Sequence, residues 1–284
     1  MLSSVKIAVD ETRAPVLDPG RGRTKTGYFW AVARDDRPWG CTDPPAVAYT
    51  YAPGRGAEHG MKLLDGYSGI VQCDGYAVYK QLADGRRPQP VTLAFCWSHW
   101  RRQFYDIAKG GPAPIASEAL QRIAALYAIE EKIRGRSAEV RQAVRQAESK
   151  PRAEALKTWL EVELTRVSAK SEIAATIRYG FNHWDGLVRF LEDGRIELDT
   201  NAVERAMRPI GLSRKNALFA GHDQGAANWA CLASLVETAL CRMRHRQVYA
   251  EFRTMPDGLG GYADNNGLRP ILLGIILPGC NSAS

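Results

Sequence analysis

Hydrophobic and polar positions follow three successive regimes along this chain, and the first is strand-like. Val5-Lys6-Ile7-Ala8-Val9 is a short apolar run with Asp10 at its end. Tyr28-Phe29-Trp30-Ala31-Val32-Ala33 is rich in β-forming residues and closes on the turn-like Asp35-Asp36-Arg37-Pro38. Ala46 to Tyr51 reads as a third strand, stopped by Pro53-Gly54-Arg55-Gly56. Three strands with short turns predict an antiparallel meander. The pattern then alternates. Glu58 to Leu64 reads as a short helix, and Gly69-Ile70-Val71-Gln72-Cys73 as a buried strand delivering Asp74. Tyr76 to Leu82 is helical in spacing, Val91 to Phe95 is a second buried strand, and a basic helix follows from about Ser98 to Lys109. Strand-helix-strand-helix predicts parallel pairing with crossovers.

The middle is helical. Leu120, Ile123, Ala124 and Tyr127, then Val140, Val144 and Ala147, keep helical spacing until Ser149-Lys150-Pro151 interrupts it. Leu156, Trp159, Leu160, Leu164 and Val167 share one helix face; Trp184, Leu187, Val188 and Leu191 share another, with Gly194 placed as a C-terminal cap. Trp159 and Trp184 read as core residues rather than stacking platforms. After Asp199-Thr200-Asn201 a helix carries Glu204 and ends before Pro209. A long helix runs from about Gln224 to Arg242 and ends on the basic Arg242, Arg244, His245 and Arg246, and from Met255 onward periodicity is lost. The order β-β-β-α-β-α-β-α is that of a ribonuclease H-like α/β fold, a mixed sheet flanked by helices. An all-helical insertion then precedes the last catalytic helix. The expected division is 1–111 and 196–254 for the core, 112–195 for the insertion and 255–284 for an irregular tail.

Composition narrows the function classes. The 45% hydrophobic content is that of a chain that buries a core, and the net charge of +7 suits a polyanionic partner. The six cysteines are scattered and form no Cys-x-x-Cys, unlike a secreted disulfide framework. The N-terminus has no signal-peptide core, and the late apolar run Ile271 to Leu277 is too short to span a bilayer. A reducing cytoplasm, with nucleoid association and no membrane, is the expected setting.

Asp10 and Asp74 each follow a short apolar run, so both should emerge from neighbouring strands, with Glu204 on a helix packed against the same sheet. Three carboxylates on rigid elements can hold hard cations, which take one or two carboxylates and keep waters and substrate phosphate as remaining ligands. Two such ions serve phosphoryl transfer by activating the attacking oxygen and stabilising the leaving one. Ordinary structural readings stand beside this one. An aspartate at a strand end is a common turn residue, and Asn201-x-x-Glu204 is spaced as a capping box, with Thr200 an alternative cap.

A resemblance of whole motifs weighs on that choice. Val9-Asp10-Glu11-Thr12 with Pro19-Gly20-Arg21-Gly22-Arg23-Thr24-Lys25-Thr26-Gly27-Tyr28 resembles the opening of the transposase domain in the insertion sequence 66 family. So do Gln72-Cys73-Asp74-Gly75-Tyr76 and Cys96-Trp97-Ser98-His99-Trp100-Arg101-Arg102-Gln103-Phe104. Asn201-Ala202-Val203-Glu204-Arg205-Ala206-Met207-Arg208-Pro209, Arg214-Lys215-Asn216 and Phe219-Ala220-Gly221 complete the set, in the family's order, over roughly residues 5 to 245. The resemblance implies that Asp10, Asp74 and Glu204 are a DDE triad holding two Mg²⁺ or Mn²⁺ ions. It implies cleavage and strand transfer of DNA at insertion-sequence ends, by a homo-oligomer. Two alternatives remain: a ribonuclease H-like nuclease without strand transfer, and a non-catalytic DNA-binding remnant. The family normally carries DNA-binding and zinc-binding modules before the catalytic domain, whereas this chain starts almost at the first catalytic strand. Three expectations stand open: a fragment, a decayed copy, or a separately encoded half whose partner is an N-terminal DNA-binding module.

Arg101, Arg102, Arg205, Arg208, Arg214 and Lys215 are the expected DNA-binding cations. Glu204 and Arg208, four apart, can also form a helix-surface ion pair. Lys25 and the glycine-rich turn from Pro19 to Gly27 are a further candidate contact or a solvated loop. Cys96-x-x-His99 is expected beside the active site or as packing. It is not expected to hold structural zinc, because no second Cys/His pair completes four ligands.

Overall fold

In the computed structural model a long hairpin forms first, with β1 (Lys6–Asp18) antiparallel to β2 (Arg23–Arg34) from Ala8↔Ala33 to Asp18↔Arg23. Gly20 and Gly22, at φ 84° and 60°, turn the hairpin where a side chain would be strained. The structure describes the chain apart from residues 1–2, 76, 83–90, 217–219 and 255–284, and describes no side chains for 77, 82, 213–216 and 244–254. The tail expected after Met255 and the side chains of Arg214 and Lys215 therefore lie outside the described residues.

β3 (Ala46–Ala52) pairs antiparallel with β2, β4 (Gly69–Cys73) parallel with β1, and β5 (Val91–Phe95) parallel with β4. The sheet order is β3-β2-β1-β4-β5, a mixed α/β sheet as the element order predicts. One correction bears on the site. Asp10 lies inside β1, not at its end. The pairing of β1 with β4 stops at Ala8↔Gln72, so Asp10 lies just past the parallel neighbour, while β2 and β3 continue on the other side as far as Tyr28↔Ala52.

Eight helices follow the first strands: α1 (Ala57–Leu63), α2 (Ala77–Leu82), α3 (Trp97–Lys109), α4 (Pro114–Ile133), α5 (Ala138–Val144), α6 (Lys150–Arg166), α7 (Glu172–Asn182) and α8 (Trp184–Val188). One core joins Ile7, Val9, Trp30 and Val71 of the sheet to Trp97, Trp100, Ile123, Leu160, Ile177 and Leu187 of these helices, with Trp159 and Trp184 packed against it. The helical stretch thus shares its core with one face of the sheet. On the opposite face lie α9 (Asn201–Asn216) and α10 (Asp223–Thr254). Val203, Met207 and Ile210, at i, i+4 and i+7, meet Ala31, Val47 and Tyr49 in a second core. Ser234 and Thr238 of α10 bond the backbone of Tyr49 and Val47, covering the outer edge of β3. Met1–His245 form one compact unit and Arg246–Ser284 a second.

Several predicted helix ends are corrected. Pro151 does not interrupt helix: a π turn at Arg145–Ser149 links α5 to α6, and Pro151 sits in the first turn of α6, where no amide partner is lost. Pro209 lies within α9, where the burial of Met207 and Ile210 on either side outweighs one missing bond. Gly194 is not a left-handed cap; a Cβ there would lie 1.8 Å from the Ala138 carbonyl oxygen, so close approach requires it. The cations around Arg242 lie within α10, which continues to Thr254.

Candidate metal centre

The register of the three parallel strands assembles the site. Ala8, Gln72 and Ala94 stand in one row across β1, β4 and β5. Side chains alternate with a period of two, so the next row on the same face is Asp10, Asp74 and Cys96. The row continues beyond β5 because the Cys96 amide donates to the Cys73 carbonyl at 3.1 Å. Ala8 packs against the second core, so this row faces α9. Asp10 and Asp74 thus leave adjacent parallel strands on the same side, close enough for Asp74 to act on the Asp10 carboxyl.

The electrostatics agree. Burial, then Glu11 and then Asp74, push the Asp10 carboxyl up to about 7, against the Glu11 amide that donates to it at 2.9 Å. Crowded, half-buried carboxylates are a donor set that a hard divalent cation fits.

Glu204 reaches the same face from the first turn of α9. Its Oε1 accepts the hydroxyls of Ser98 and Thr200, each at 3.1 Å, and lies 3.9 Å from His99 Nδ1 and 3.9 Å from Cys96 Sγ. The capping-box reading is overturned. Thr200 precedes the helix, its carbonyl accepts the amides of Val203 and Glu204, and the Glu204 carboxylate accepts hydroxyls. The structure brings Cys96, His99 and Glu204 together, with ligand atoms all within 4.8 Å of one another; the two aspartates stand outside that tight group. His99 links the two halves. Its neighbour Cys96, with help from Glu204 and Asp74, raises it against burial to about 9, so the ring is a cation at neutral pH.

The predicted cations divide. Arg205 and Arg208 are exposed on α9, and among the described residues Arg208 forms no ion pair with Glu204. Arg101 borders a cavity of about 370 Å³ with Ser98, Tyr127, Asp199 and Asn201, beside Glu204. Arg102 pairs with Asp106 at 3.1 Å on the outer face of α3. Lys25 is bound to Asp223 at 2.6 Å.

Other residues that hold the site escaped the pattern of the sequence. Gln72, in the Asp10 and Asp74 strand pair, donates to the Glu197 carbonyl at 2.8 Å and accepts the Glu197 amide at 2.9 Å. It thereby fixes the segment leading into α9 against β4. Glu11 turns to the opposite face, where Arg55 and Tyr79 donate to it, and its side chain is 1% exposed. His183 of the helical stretch stacks on Tyr179 and meets the Gly75 carbonyl at 3.0 Å, clamping the turn after Asp74. A Cβ on Gly75 would stand 2.5 Å from the His183 ring. Gly75→Ala is expected to cost about 1–3 kcal/mol, the usual range for overpacking. Urea unfolding checks this; an unchanged midpoint would mean that the ring yields freely. A backward look finds one signal for these residues, the polar Gln72 inside an otherwise apolar strand.

A family model described as "Transposase IS66 family" matches residues 1–228, most of the chain and all of the residues just described. The chain belongs to the IS66 transposase family. It is 44% identical over 242 residues to the uncharacterized protein y4qI of Sinorhizobium fredii (strain NBRC 101917 / NGR234), covering 84% of this chain and 44% of the relative. It is 45% identical over 240 residues to y4jD of the same organism, covering 84% and 47%. The chain thus spans about half the length of the curated relatives it matches. The IS66 match takes in all three parallel strands and α9, and so encloses the row of Asp10, Asp74 and Cys96 with Glu204 above it. Among the described residues no helix is long and apolar enough to cross a membrane.

Proposed function

We propose that this chain is the ribonuclease H-like catalytic core of a DDE transposase, cutting DNA at insertion-sequence ends and joining it to target DNA. The observation that supports this reading is the parallel pairing of β1 with β4, past whose end burial, then Glu11 and then Asp74, hold the Asp10 carboxyl up to about 7. Asp10, Asp74 and Glu204 would hold two Mg²⁺ or Mn²⁺ ions, with residues 112–195 inserted between the parts of the core at 1–111 and 196–254. When bound, the ions supply Lewis-acid activation of the attacking oxygen and charge stabilisation of the leaving one.

The chain's own residues supply position and charge. Gln72 and the His183 clamp hold the backbone on either side of Asp74 in place. Ser98 and Thr200 orient Glu204 by donating to one oxygen, so the other is available as a ligand. Exposed Arg101, Arg205 and Arg208 flank this face and can neutralise phosphates, which orients DNA without reading its sequence. Base-specific choice of ends is assigned to a separately folded or separately encoded module, acting with a homo-oligomer of this core at the bacterial nucleoid in the cytoplasm.

The test is nicking of supercoiled DNA, followed by joining of precleaved ends to a target. Divalent-cation-dependent nicking and joining are expected, and Asp74→Asn or Glu204→Gln should lower both on the order of a thousandfold, about 4 kcal/mol of transition-state stabilisation. Nicking without joining would favour a plain nuclease. No nicking by a folded, DNA-bound chain would favour a binding remnant.

A further inference from the structure

We propose that Cys96, His99 and Glu204 form a second cation site, selective for a thiophilic divalent ion of the zinc class and sharing Glu204 with the oxygen-ligated pair. The spacing of Cys96 and His99 alone offers two ligands; the fold adds a third from more than a hundred positions away. Sulfur, ring nitrogen and carboxylate oxygen lie within 4.8 Å of one another, with Glu204 Oε1 at 3.9 Å from both Cys96 Sγ and His99 Nδ1. A tetrahedral ion with bonds of about 2.0–2.3 Å sets its ligands roughly 3.3–3.7 Å apart. The two 3.9 Å separations need only a few tenths of an ångström to reach that range, and no pair of ligand atoms needs more than about 1.5 Å.

Two further observations point to a ligand there. His99 Nδ1 is buried and meets no partner in hydrogen-bond geometry; the Cys96 sulfur is near enough to favour the charged ring but gives that nitrogen no directed bond. The sulfur already has an outer shell, accepting the Thr200 amide at 3.2 Å and lying 2.9 Å from Ser98 Oγ at the start of α3. Such donors support a coordinated thiolate. A sulfur and an imidazole select zinc-class ions over Mg²⁺, which takes oxygen. On binding, the thiol proton and any ring proton pass to solvent. Three protein ligands leave one position open, which distinguishes the site from closed structural zinc. An ion here draws Glu204 toward Cys96 and away from Asp10 and Asp74.

The proposal does not depend on strand cleavage, and its test reads binding alone. Metal-free protein is titrated with Co²⁺, following the sulfur-to-cobalt charge-transfer band, and Zn²⁺ is then added. One equivalent of Co²⁺ is expected to develop the band and Zn²⁺ to remove it. Cys96→Ser should abolish the band, and His99→Gln should weaken Co²⁺ binding at least tenfold, as loss of even an outer-shell partner can. Asp10→Asn should bind Co²⁺ as the parent does, which separates this site from the oxygen-ligated one. Circular dichroism shows whether Cys96→Ser has folded; if it has not, the His99→Gln affinity decides. No band in the parent chain, a full band in folded Cys96→Ser, or parental affinity in His99→Gln would each overturn the site.

Discussion

Replacing Arg145 by alanine is expected to destabilise the protein by about 3–5 kcal/mol, the cost of breaking a buried ion pair from one side. Its side chain is fully buried where the π turn joins α5 to α6. Nε and Nη2 donate to the two oxygens of Glu130 at 2.7 and 2.6 Å, and Nη1 donates to the carbonyls of Phe190 and Asp193 at 2.9 and 3.2 Å. Removing the guanidinium takes a donor from both carbonyls, of which Asp193 keeps the Ile196 amide at 3.1 Å, and leaves Glu130, itself mostly buried, to Arg141 alone at 3.2 Å. Lysine should not rescue the loss, because a single ammonium cannot copy the bidentate fork and reach both carbonyls. The damage should travel toward the site, since Asp193 opens the segment through Glu197 and Thr200 to Glu204. Urea unfolding of Arg145→Ala measures the effect, with the exposed Arg102→Ala as a control expected to cost less than about 1 kcal/mol. Equal midpoints for the two variants would show that the buried network contributes nothing.

Arg145 also illustrates what local pattern cannot show. Helical periodicity marks the apolar face around it, but nothing in the spacing reveals that a charged residue on that helix is buried, because Glu130 and the 190–193 carbonyls come from elsewhere in the chain. The strands behave differently. Gly69–Cys73 and Val91–Phe95 match their apolar runs residue for residue, the first buried from Ile70 to Cys73 on both faces, the second exposing Thr92 at the sheet edge. β1 and β2 are legible only in their first and last halves. Beyond Arg13↔Tyr28 they continue as a two-stranded ribbon, and Arg23 to Thr26 carry no burial signal there. At the site, the sequence predicts Asp10 and Asp74 at neighbouring strands, and β1 and β4 are parallel neighbours up to Ala8↔Gln72, two residues before each aspartate. It leaves Glu204 between a cap and a ligand, and the hydroxyls of Ser98 and Thr200, which Glu204 accepts in place of backbone amides, set the cap aside. Proline misled twice, because steric cost was weighed without the burial that offsets it.

Asp10→Asn is expected to stabilise the metal-free protein while abolishing its chemistry. A carboxyl held up to about 7, against an ordinary value of 3.8, binds its proton more tightly in the folded chain than in the unfolded one. Its contribution to stability is therefore complete below about pH 4 and is lost as pH rises through 7. Each tenfold change in proton affinity is worth about 1.4 kcal/mol, so ionised Asp10 costs the fold at most about 4 kcal/mol above pH 7. Water reaching the partly open site will reduce that figure. Asparagine keeps the shape and removes the charge, so the variant should melt higher than the parent at pH 8 and nearly alike at pH 4. Divalent cations should reverse the order. They neutralise the carboxylates of the parent and raise its melting temperature in proportion to site occupancy, whereas Asp10→Asn gains little. Melts at pH 4 and pH 8, with and without Mg²⁺, measure both halves. A variant that is less stable than the parent at pH 8 without metal would show that the Asp10 carboxylate has a stabilising structural partner, and a parent unmoved by Mg²⁺ would remove the aspartate pair from the metal centre.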